Sequence, residues 1–159
     1  MAEKRYPMTP AGKKAIEERL RYLKTVERPQ NIKAIEIARG HGDLSENADY
    51  DAAKNHQGIL HAQINDLEQK LSLSQVIDPA TITSDKIVFG ATVKVCDIDS
   101  EEELNYMIVG LDEADIAQGK ISVESPIARA LIGKSVGDEA VLHTPKGARH
   151  LEILKIEYK

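Results

Sequence analysis

The chain has 159 residues, of which 42% are hydrophobic and 30% are charged, and this composition excludes disordered and fibrous proteins. Its 26 acidic and 21 basic residues give a formal net charge of −5, which excludes a protein that coats nucleic acid through a general basic surface. The single cysteine, Cys96, cannot form an internal disulfide and indicates a reducing compartment. No segment is apolar enough to span a membrane, so we expect a cytoplasmic protein.

The first half of the chain, from Thr9 to about residue 74, predicts two helices. Thr9 and Pro10 are typical of a helix cap and a first helical residue. Pro29 is expected to bend the first helix or divide it, because proline has no amide hydrogen and crowds the preceding turn. The apolar positions of the first helix are Ile16, Leu20, Leu23, Ile32, Ile35 and Ile37. The second helix has a cleaner coiled-coil seam, formed by Ala53, Gln57, Leu60, Ile64, Leu67 and Leu71.

A short glycine-bearing segment, GHG at 40–42, joins the two predicted helices. Such a connection predicts an antiparallel coiled-coil hairpin. Each arm of roughly 30 residues would be on the order of 45 Å long, since a helix rises about 1.5 Å per residue. We assign this hairpin domain to residues 1–78 and its tip to residues 40–50.

Beyond residue 78 the pattern changes to short β-rich runs separated by turn residues, which predicts a second domain over residues 79–159. Ser125 is expected to cap a short helix over 126–132. The last strand changes the parity of its apolar residues, which indicates a β-bulge or a strand buried on both faces. The expected strands are 88–97, 104–109, 121–123, 139–143 and 151–158. The fold class is therefore α+β, a helical hairpin followed by a small antiparallel sheet with one short helix.

Formal charge is distributed unevenly between these two domains. Residues 1–78 contain equal numbers of basic and acidic side chains, whereas residues 79–159 carry the whole net charge of −5. The second domain is therefore a better candidate for docking on a protein than for binding nucleic acid.

The tip contains the densest functional pattern, because residues 40–54 read GHGDLSENADYDAAK. Asp43 and Glu46 are three residues apart, so their carboxylates can converge at the start of the second helix. Exposed carboxylates of this kind are suited to a hard, partly hydrated cation such as Mg²⁺. The same residues also fit a capping box, with Asp43 as the cap and Glu46 reaching back, and Ser45 could replace Asp43 as the cap. Spacing alone leaves both interpretations open.

Four runs carry a specific resemblance to a known family. They read RPQNIKAIEIARG from Arg28, HGDLSENADYDAAK from His41, VIDPATI from Val76 and ISVESPIARALIGK from Ile121. With these runs in order along nearly the whole chain, the sequence resembles the bacterial Gre family of transcript-cleavage factors. The resemblance implies a coiled-coil hairpin that enters the secondary channel of RNA polymerase and a carboxyl-terminal domain of FKBP-like topology that docks on the enzyme.

The resemblance also implies roles for individual residues. It assigns Asp43 and Glu46 as the catalytic pair that helps hold a second Mg²⁺ in the polymerase active site, with no tightly bound ion expected in the free protein. The residues expected to contact the nascent RNA 3′ end are Arg39, Asn47, Tyr50 and Lys54. The residues expected to dock on the rim-helix coiled coil of the polymerase are Glu124, Ser125 and Pro126.

Simpler interpretations of these residues stay open. Arg39 and Lys54 could be solvated helix charges, and Tyr50 could pack against the first helix. Ser125 and Pro126, taken alone, are a helix start.

The implied function is that of a monomeric elongation factor that activates the polymerase's own cleavage of backtracked RNA. No nucleophile, base and orienting group occur together in the sequence, so the chain is not expected to be an independent enzyme. Two alternatives remain: a Gre-like inhibitor of the secondary channel, and a coiled-coil scaffold or chaperone whose tip acids only cap a helix.

Overall fold

The computed structural model describes residues 5–42 and 47–159. The chain forms two compact units, one consisting of Lys13–Leu73 and the other of the amino-terminal segment up to Gly12 together with Ser74–Lys159. None of the helices in the described ranges is long and apolar enough to cross a membrane.

The first unit is a hairpin of helices, as the sequence predicted. Its first arm runs through α1 (Pro10–Tyr22), a π-helical turn (Leu23–Glu27) and α2 (Arg28–Arg39), and its second arm is α3 (Ala48–Ser72). The predicted cap is confirmed, because the amide of Gly12 donates to the Thr9 hydroxyl over 3.1 Å.

Pro29 divides the first arm, as predicted, and the division takes the form of the π-helical turn. The amide of Arg28 donates to the carbonyl of Leu23, five residues earlier, instead of to the residue four earlier. Pro29 itself has no amide hydrogen to contribute to the helix. The wider turn therefore absorbs the interruption, and α2 continues directly from it.

A small hydrophobic cluster holds the arms together near the middle of the hairpin. Leu23, Leu60 and Ile64 are buried in it, and Leu20 and Leu67 pack against them. These five residues belong to the predicted seams, which are confirmed at these positions.

Nearer the tip, the predicted seams are partly wrong. Ile32 and Ile37 are about half exposed, and the buried positions of α2 are Asn31, Ile35 and Ala38. Gln57 of the second arm is also exposed. The true seam of α2 follows a spacing of four and three that includes a polar residue and an alanine, which a search for large apolar side chains overlooks.

The second unit is built on a five-stranded sheet. Its strands are β3 (Thr92–Asp97), β4 (Glu103–Val109), β5 (Lys120–Ser122), β6 (Glu139–Thr144) and β7 (Gly147–Glu157). They lie in the order β5-β4-β3-β7-β6. The short helix α4 (Pro126–Leu131) confirms the helix predicted there. Ala128 and Leu131 from α4 are fully buried in the same core as the inward-facing residues of β3 and β7.

The prediction of an antiparallel sheet requires a correction, since β5 runs parallel to β4. The other neighbouring pairs are antiparallel. The connection between β4 and β5 contains two 3₁₀ turns, Leu111–Glu113 and Ile116–Gln118. It brings the chain back to the starting end of β4, which a tight hairpin turn cannot do.

Two further details differ from or extend the predictions. The predicted strand over 88–97 begins only at Thr92, because Gly90 lies in a turn with φ of +90°. The predicted bulge in the last strand is confirmed, since Lys94 pairs with Lys155 whereas Val95 pairs with Ile153. This pairing leaves Leu154 as the extra residue and explains the change of apolar parity.

A second, two-stranded sheet has no counterpart in the predictions. The strands β1 (Tyr6–Met8) and β2 (Ser74–Val76) pair in parallel, and the amide of Ile77 donates to the Met8 carbonyl over 2.9 Å. The predicted boundary after residue 78 placed both strands in the hairpin domain, whereas they belong to the compact unit that contains the large sheet.

Candidate functional site

The tip lies where α2 ends at Arg39 and α3 begins at Ala48. The predicted metal-binding acids, Asp43 and Glu46, lie outside the described residues. Their neighbours along the chain are described on both sides. Gly42 donates its amide to the carbonyl of Arg39 over 3.2 Å, which attaches it to the end of α2.

Asn47 supplies the cap of α3, a role that the sequence analysis gave to Asp43 or Ser45. Its side-chain oxygen accepts a hydrogen bond from the amide of Tyr50 over 3.1 Å. Its side-chain nitrogen donates across the hairpin to the carbonyl of Ala38 at 2.5 Å. The residue is only 8% exposed. Both ends of its amide group are thus engaged inside the hairpin, and the predicted contact of Asn47 with RNA remains a prediction.

A second asparagine makes a similar contact farther from the tip. The side-chain nitrogen of Asn31, a residue only 4% exposed, donates to the carbonyl of Ala53 over 2.9 Å. Sequence reasoning missed this residue. The available signal was its position four residues before Ile35, where a polar side chain falls on the seam of a coiled coil and can specify the pairing of the helices.

The two basic residues predicted to contact RNA, Arg39 and Lys54, lie at different positions along the hairpin. The contact between Asn47 and Ala38 sets Arg39 at the tip, whereas the contact between Asn31 and Ala53 sets Lys54 lower on the arms. Seven residues of helix separate Lys54 from Asn47, which corresponds to roughly 10 Å along the axis. The predicted contact of these two cations with RNA remains a prediction.

The described side chains around the tip are mostly exposed. Arg39 and Lys54 are exposed, and the Lys54 ammonium group donates to the side chain of Gln57 over 2.8 Å. Tyr50 is half-buried. The Nδ1 atom of His41 and the Oδ2 atom of Asp49 lie 3.7 Å apart across the tip. The sequence did not predict this pairing.

No group of three or more histidine, cysteine, aspartate or glutamate side chains within 5–42 and 47–159 is arranged to hold a metal ion. The donor chemistry of Asp43 and Glu46 suits Mg²⁺, because carboxylate oxygens are hard ligands. Two carboxylates alone leave most positions of an octahedral ion to other ligands.

The predicted docking residues form the start of α4. The Ser125 hydroxyl accepts from the amide of Ala128 over 3.3 Å and donates to the carbonyl of Ser122 over 2.7 Å. Pro126 occupies the first turn of α4. The interpretation of Ser125 and Pro126 as a helix start is confirmed. Glu124 and Pro126 are exposed beside this cap, so the surface they form is rigid and accessible.

Comparisons with known proteins cover both units. The family model for the GreA/GreB elongation factor N-terminal domain matches residues 6–76, and the model for the GreA/GreB C-terminal domain matches residues 82–158. The transcription elongation factor GreA of Hyphomonas neptunium is 54% identical over 155 residues, covering 98% of this chain and 99% of that protein. GreA of Francisella philomiragia is 54% identical over 160 residues, covering all of both chains.

A solved structure is also similar in sequence along its length. The crystal structure of GreA factor homolog 1 from Thermus thermophilus is 28% identical, covers 97% of this chain and 99% of that chain, and superposes with a TM-score of 0.44.

A helical hairpin followed by a mixed sheet, matched by family models over both parts, defines a bacterial transcription elongation factor. The chain belongs to the GreA/GreB family, and within that family its similarity is to GreA factors. This result confirms the resemblance found in the sequence.

Proposed function

We propose that this elongation factor stimulates RNA polymerase to cleave backtracked RNA by placing the acidic hairpin tip in the secondary channel of the enzyme. The observation that carries the proposal is the position of Asp43 and Glu46 in the segment that joins two helical arms. The 25 residues of α3 correspond to about 37 Å of helix, a length suited to reaching into a deep, narrow channel.

The chain is an accessory factor of RNA polymerase and is not itself a hydrolase. Its part in the reaction is therefore to complete an active site that the polymerase already possesses. Asp43 and Glu46 would supply carboxylate oxygens to a shared Mg²⁺ ion, which in phosphodiester hydrolysis stabilises charge on the attacking and leaving oxygens. The hairpin would carry the two carboxylates together into the channel, so that they reach the ion as parts of one molecule.

Other residues near the tip would act on the RNA. Arg39, exposed at the end of α2, is suited to bind a phosphate at the RNA 3′ end. Tyr50 presents a half-buried ring in the first turn of α3, where a base could stack on its accessible part. Lys54 lies farther from the tip and would meet phosphate only deeper along the path of the RNA. Asn47 lies between Arg39 and Tyr50 in the sequence and would reach RNA only if its side-chain amide left the hairpin interior.

The globular unit would dock on the rim-helix coiled coil of the polymerase through the surface that Glu124, Ser125 and Pro126 form. The hydrogen bonds of Ser125 keep this surface rigid, so little conformational entropy is lost on binding. The negative charge of residues 79–159 favours a basic partner. We place the factor in the cytoplasm as a monomer, where it meets the transcribing enzyme.

Cleavage in a backtracked elongation complex with Mg²⁺ tests this function. Wild-type protein should release the RNA 3′ fragment, and the double variant Asp43→Ala, Glu46→Ala should bind polymerase but fail to stimulate release. The matched control is Asp51→Ala, which removes an exposed carboxylate from the first turn of α3 and should leave cleavage unchanged.

Two outcomes would contradict the proposal. Wild-type protein that binds polymerase and slows nucleotide addition without stimulating cleavage would be a channel inhibitor. Protein that does not bind polymerase at all would be a scaffold or chaperone whose tip acids serve only the hairpin.

A further inference from the structure

We propose that Asn47 is a positioning residue, whose cross-arm hydrogen bond to Ala38 fixes the end of α2 against the start of α3, the two helix ends that flank the catalytic acids. The inference rests on the proposed function, since it concerns how the same tip is oriented. It assigns to Asn47 a role that is distinct from contact with RNA and from capping alone.

Packing between the arms is uneven along the hairpin. Leu23, Leu60 and Ile64 form a buried cluster near its middle, and Ile35 is buried in α2 between that cluster and the tip. Toward the tip, a groove of about 580 Å³ opens between α2 and α3. The small residues that line it are Ala34, Ala38, Ala52 and Ala53. Beyond Ile35, the buried apolar residues next to the tip are small, such as Ala38 and Ala53, so each makes few contacts where the tip must be held.

Two buried asparagines make polar contacts between the arms in this region. Asn31 and Asn47 each donate a side-chain amide hydrogen to a main-chain carbonyl of the opposite arm, at Ala53 and Ala38. Both asparagines are buried, so an unpaired amide group there would be expensive. The contact with Ala38 is the nearer of the two to the acidic segment, and it determines how the end of α2 meets the start of α3.

Gly42 and Asn47 border the segment of the sequence that contains the predicted catalytic pair. Glu46 is joined to Asn47 by a single peptide bond, and Asp43 follows Gly42, which is bonded to the end of α2. A shift between the ends of α2 and α3 would therefore move the two points, Gly42 and Asn47, to which the acids are attached. Displacements of about 1 Å can reduce a rate by roughly a hundredfold when two groups must act on one reacting centre.

Asn47 has two functions that substitution can separate. Its oxygen caps α3 by accepting from Tyr50, and its nitrogen donates to Ala38. Serine and aspartate are both good helix caps, but neither has the side-chain NH₂ group that donates the cross-arm hydrogen bond to Ala38. Asn47→Ser and Asn47→Asp therefore keep the cap of α3 and remove the cross-arm hydrogen bond to Ala38. Only the aspartate variant adds a negative charge.

The experiment measures cleavage in a backtracked complex over a range of factor concentrations. For both variants, the maximal cleavage rate at saturating factor should fall about tenfold or more, because the carboxylates are misplaced. The half-saturating concentration should stay within about twofold, since the globular unit docks unchanged. The matched controls, Asn55→Ser and Asn55→Asp, change an exposed asparagine of α3 and should behave as wild type.

Hydrogen exchange of the free protein provides a readout that is independent of cleavage. Amides at 37–42 and 50–54 should exchange faster in both Asn47 variants and not in the Asn55 controls. Unchanged exchange would overturn the inference, because it would mean that the contact with Ala38 does not hold the arms. Faster exchange with a wild-type maximal cleavage rate would overturn it too, since the cross-arm hydrogen bond would then not position the acids. Failure of wild-type protein to stimulate cleavage would instead overturn the proposed function.

Discussion

The carboxylate of Glu113 accepts hydrogen bonds from both the amide and the hydroxyl group of Thr9, 104 residues earlier in the chain. The amide of Gly110 donates to the same carboxylate over 3.0 Å. A negative charge at this position also interacts favourably with the amino-terminal end of α1. Glu113 therefore links the segment between β4 and β5 to the start of α1, and its carboxylate stabilises the fold of its own unit.

Gly12→Ala should destabilise the protein even though alanine is the better helix former. A Cβ atom at Gly12 would overlap the carboxyl group of Glu113, which three hydrogen bonds hold in place. Moving the carboxylate weakens bonds to a charged group, so we expect a loss of about 1–3 kcal/mol in the free energy of unfolding. Denaturant titration followed by circular dichroism measures this loss.

Gly58→Ala is the matched control for that substitution. Gly58 lies inside α3, and a Cβ atom there would meet nothing within 4 Å. Alanine should stabilise this helix by about 0.5–1 kcal/mol. Equal stabilisation by both substitutions would show that Glu113 moves away without loss.

Asp97→Asn should destabilise the protein at neutral pH and much less in acid. The pKa of Asp97 is lowered, first by the amide of Ser100 and then by the guanidinium of Arg149 and the amide of Asp99, against the opposing effect of burial. Arg149 places Nε and Nη2 each 3.1 Å from the same carboxylate oxygen. A group whose pKa is depressed on folding stabilises the protein above its unfolded-state pKa of about 3.9.

The stabilising effect of Asp97 is lost as the pH falls through its folded-state pKa. The difference in unfolding free energy between wild type and Asp97→Asn should therefore be full at pH 7 and narrow below about pH 4. Asp99→Asn, which changes an exposed neighbour, should show no comparable difference. A difference that is independent of pH between 2 and 7 would mean that the charge of Asp97 does not contribute.

Tyr158→Phe should loosen the end of the chain. The Tyr158 hydroxyl donates to the carbonyl of Lys86 over 2.5 Å and accepts from the amide of Val88 over 3.1 Å. Removing it leaves two main-chain groups without this partner, and we expect a loss of about 1–2 kcal/mol. Thermal unfolding measures the change against Tyr22→Phe, which alters an exposed tyrosine and should have little effect. Matching melting temperatures for the two variants would contradict the expectation.

Arg39→Gln should slow cleavage of backtracked RNA about three- to tenfold, because one phosphate contact contributes roughly 1 kcal/mol near a protein surface. The difference from wild type should shrink as salt rises, since phosphate contacts weaken with counterion concentration. Lys33→Gln removes an exposed cation from the same helix and is the control. Equal cleavage rates for both variants at low salt would identify Arg39 as a solvated helix charge.

Local sequence patterns determined much of this fold. The spacing of Leu60, Ile64 and Leu67 predicted the second arm of the hairpin, and Ser125 predicted the start of α4. The parity change in the last strand predicted the bulge that the structure places at Leu154. The tip acids were also found from sequence, because charges grouped within a few residues are visible without knowledge of the fold.

Tertiary structure decided which distant groups meet. The parallel pairing of Tyr6–Met8 with Ser74–Val76, the bond between Glu113 and Thr9, and the contact of Asn47 with Ala38 all join residues whose own surroundings in the sequence do not indicate a partner. Such pairings depend on the path of the intervening chain. Spacing in the sequence therefore specified helices, strands and the acidic segment, whereas the contacts of two buried amide groups between the hairpin arms form only in the folded structure.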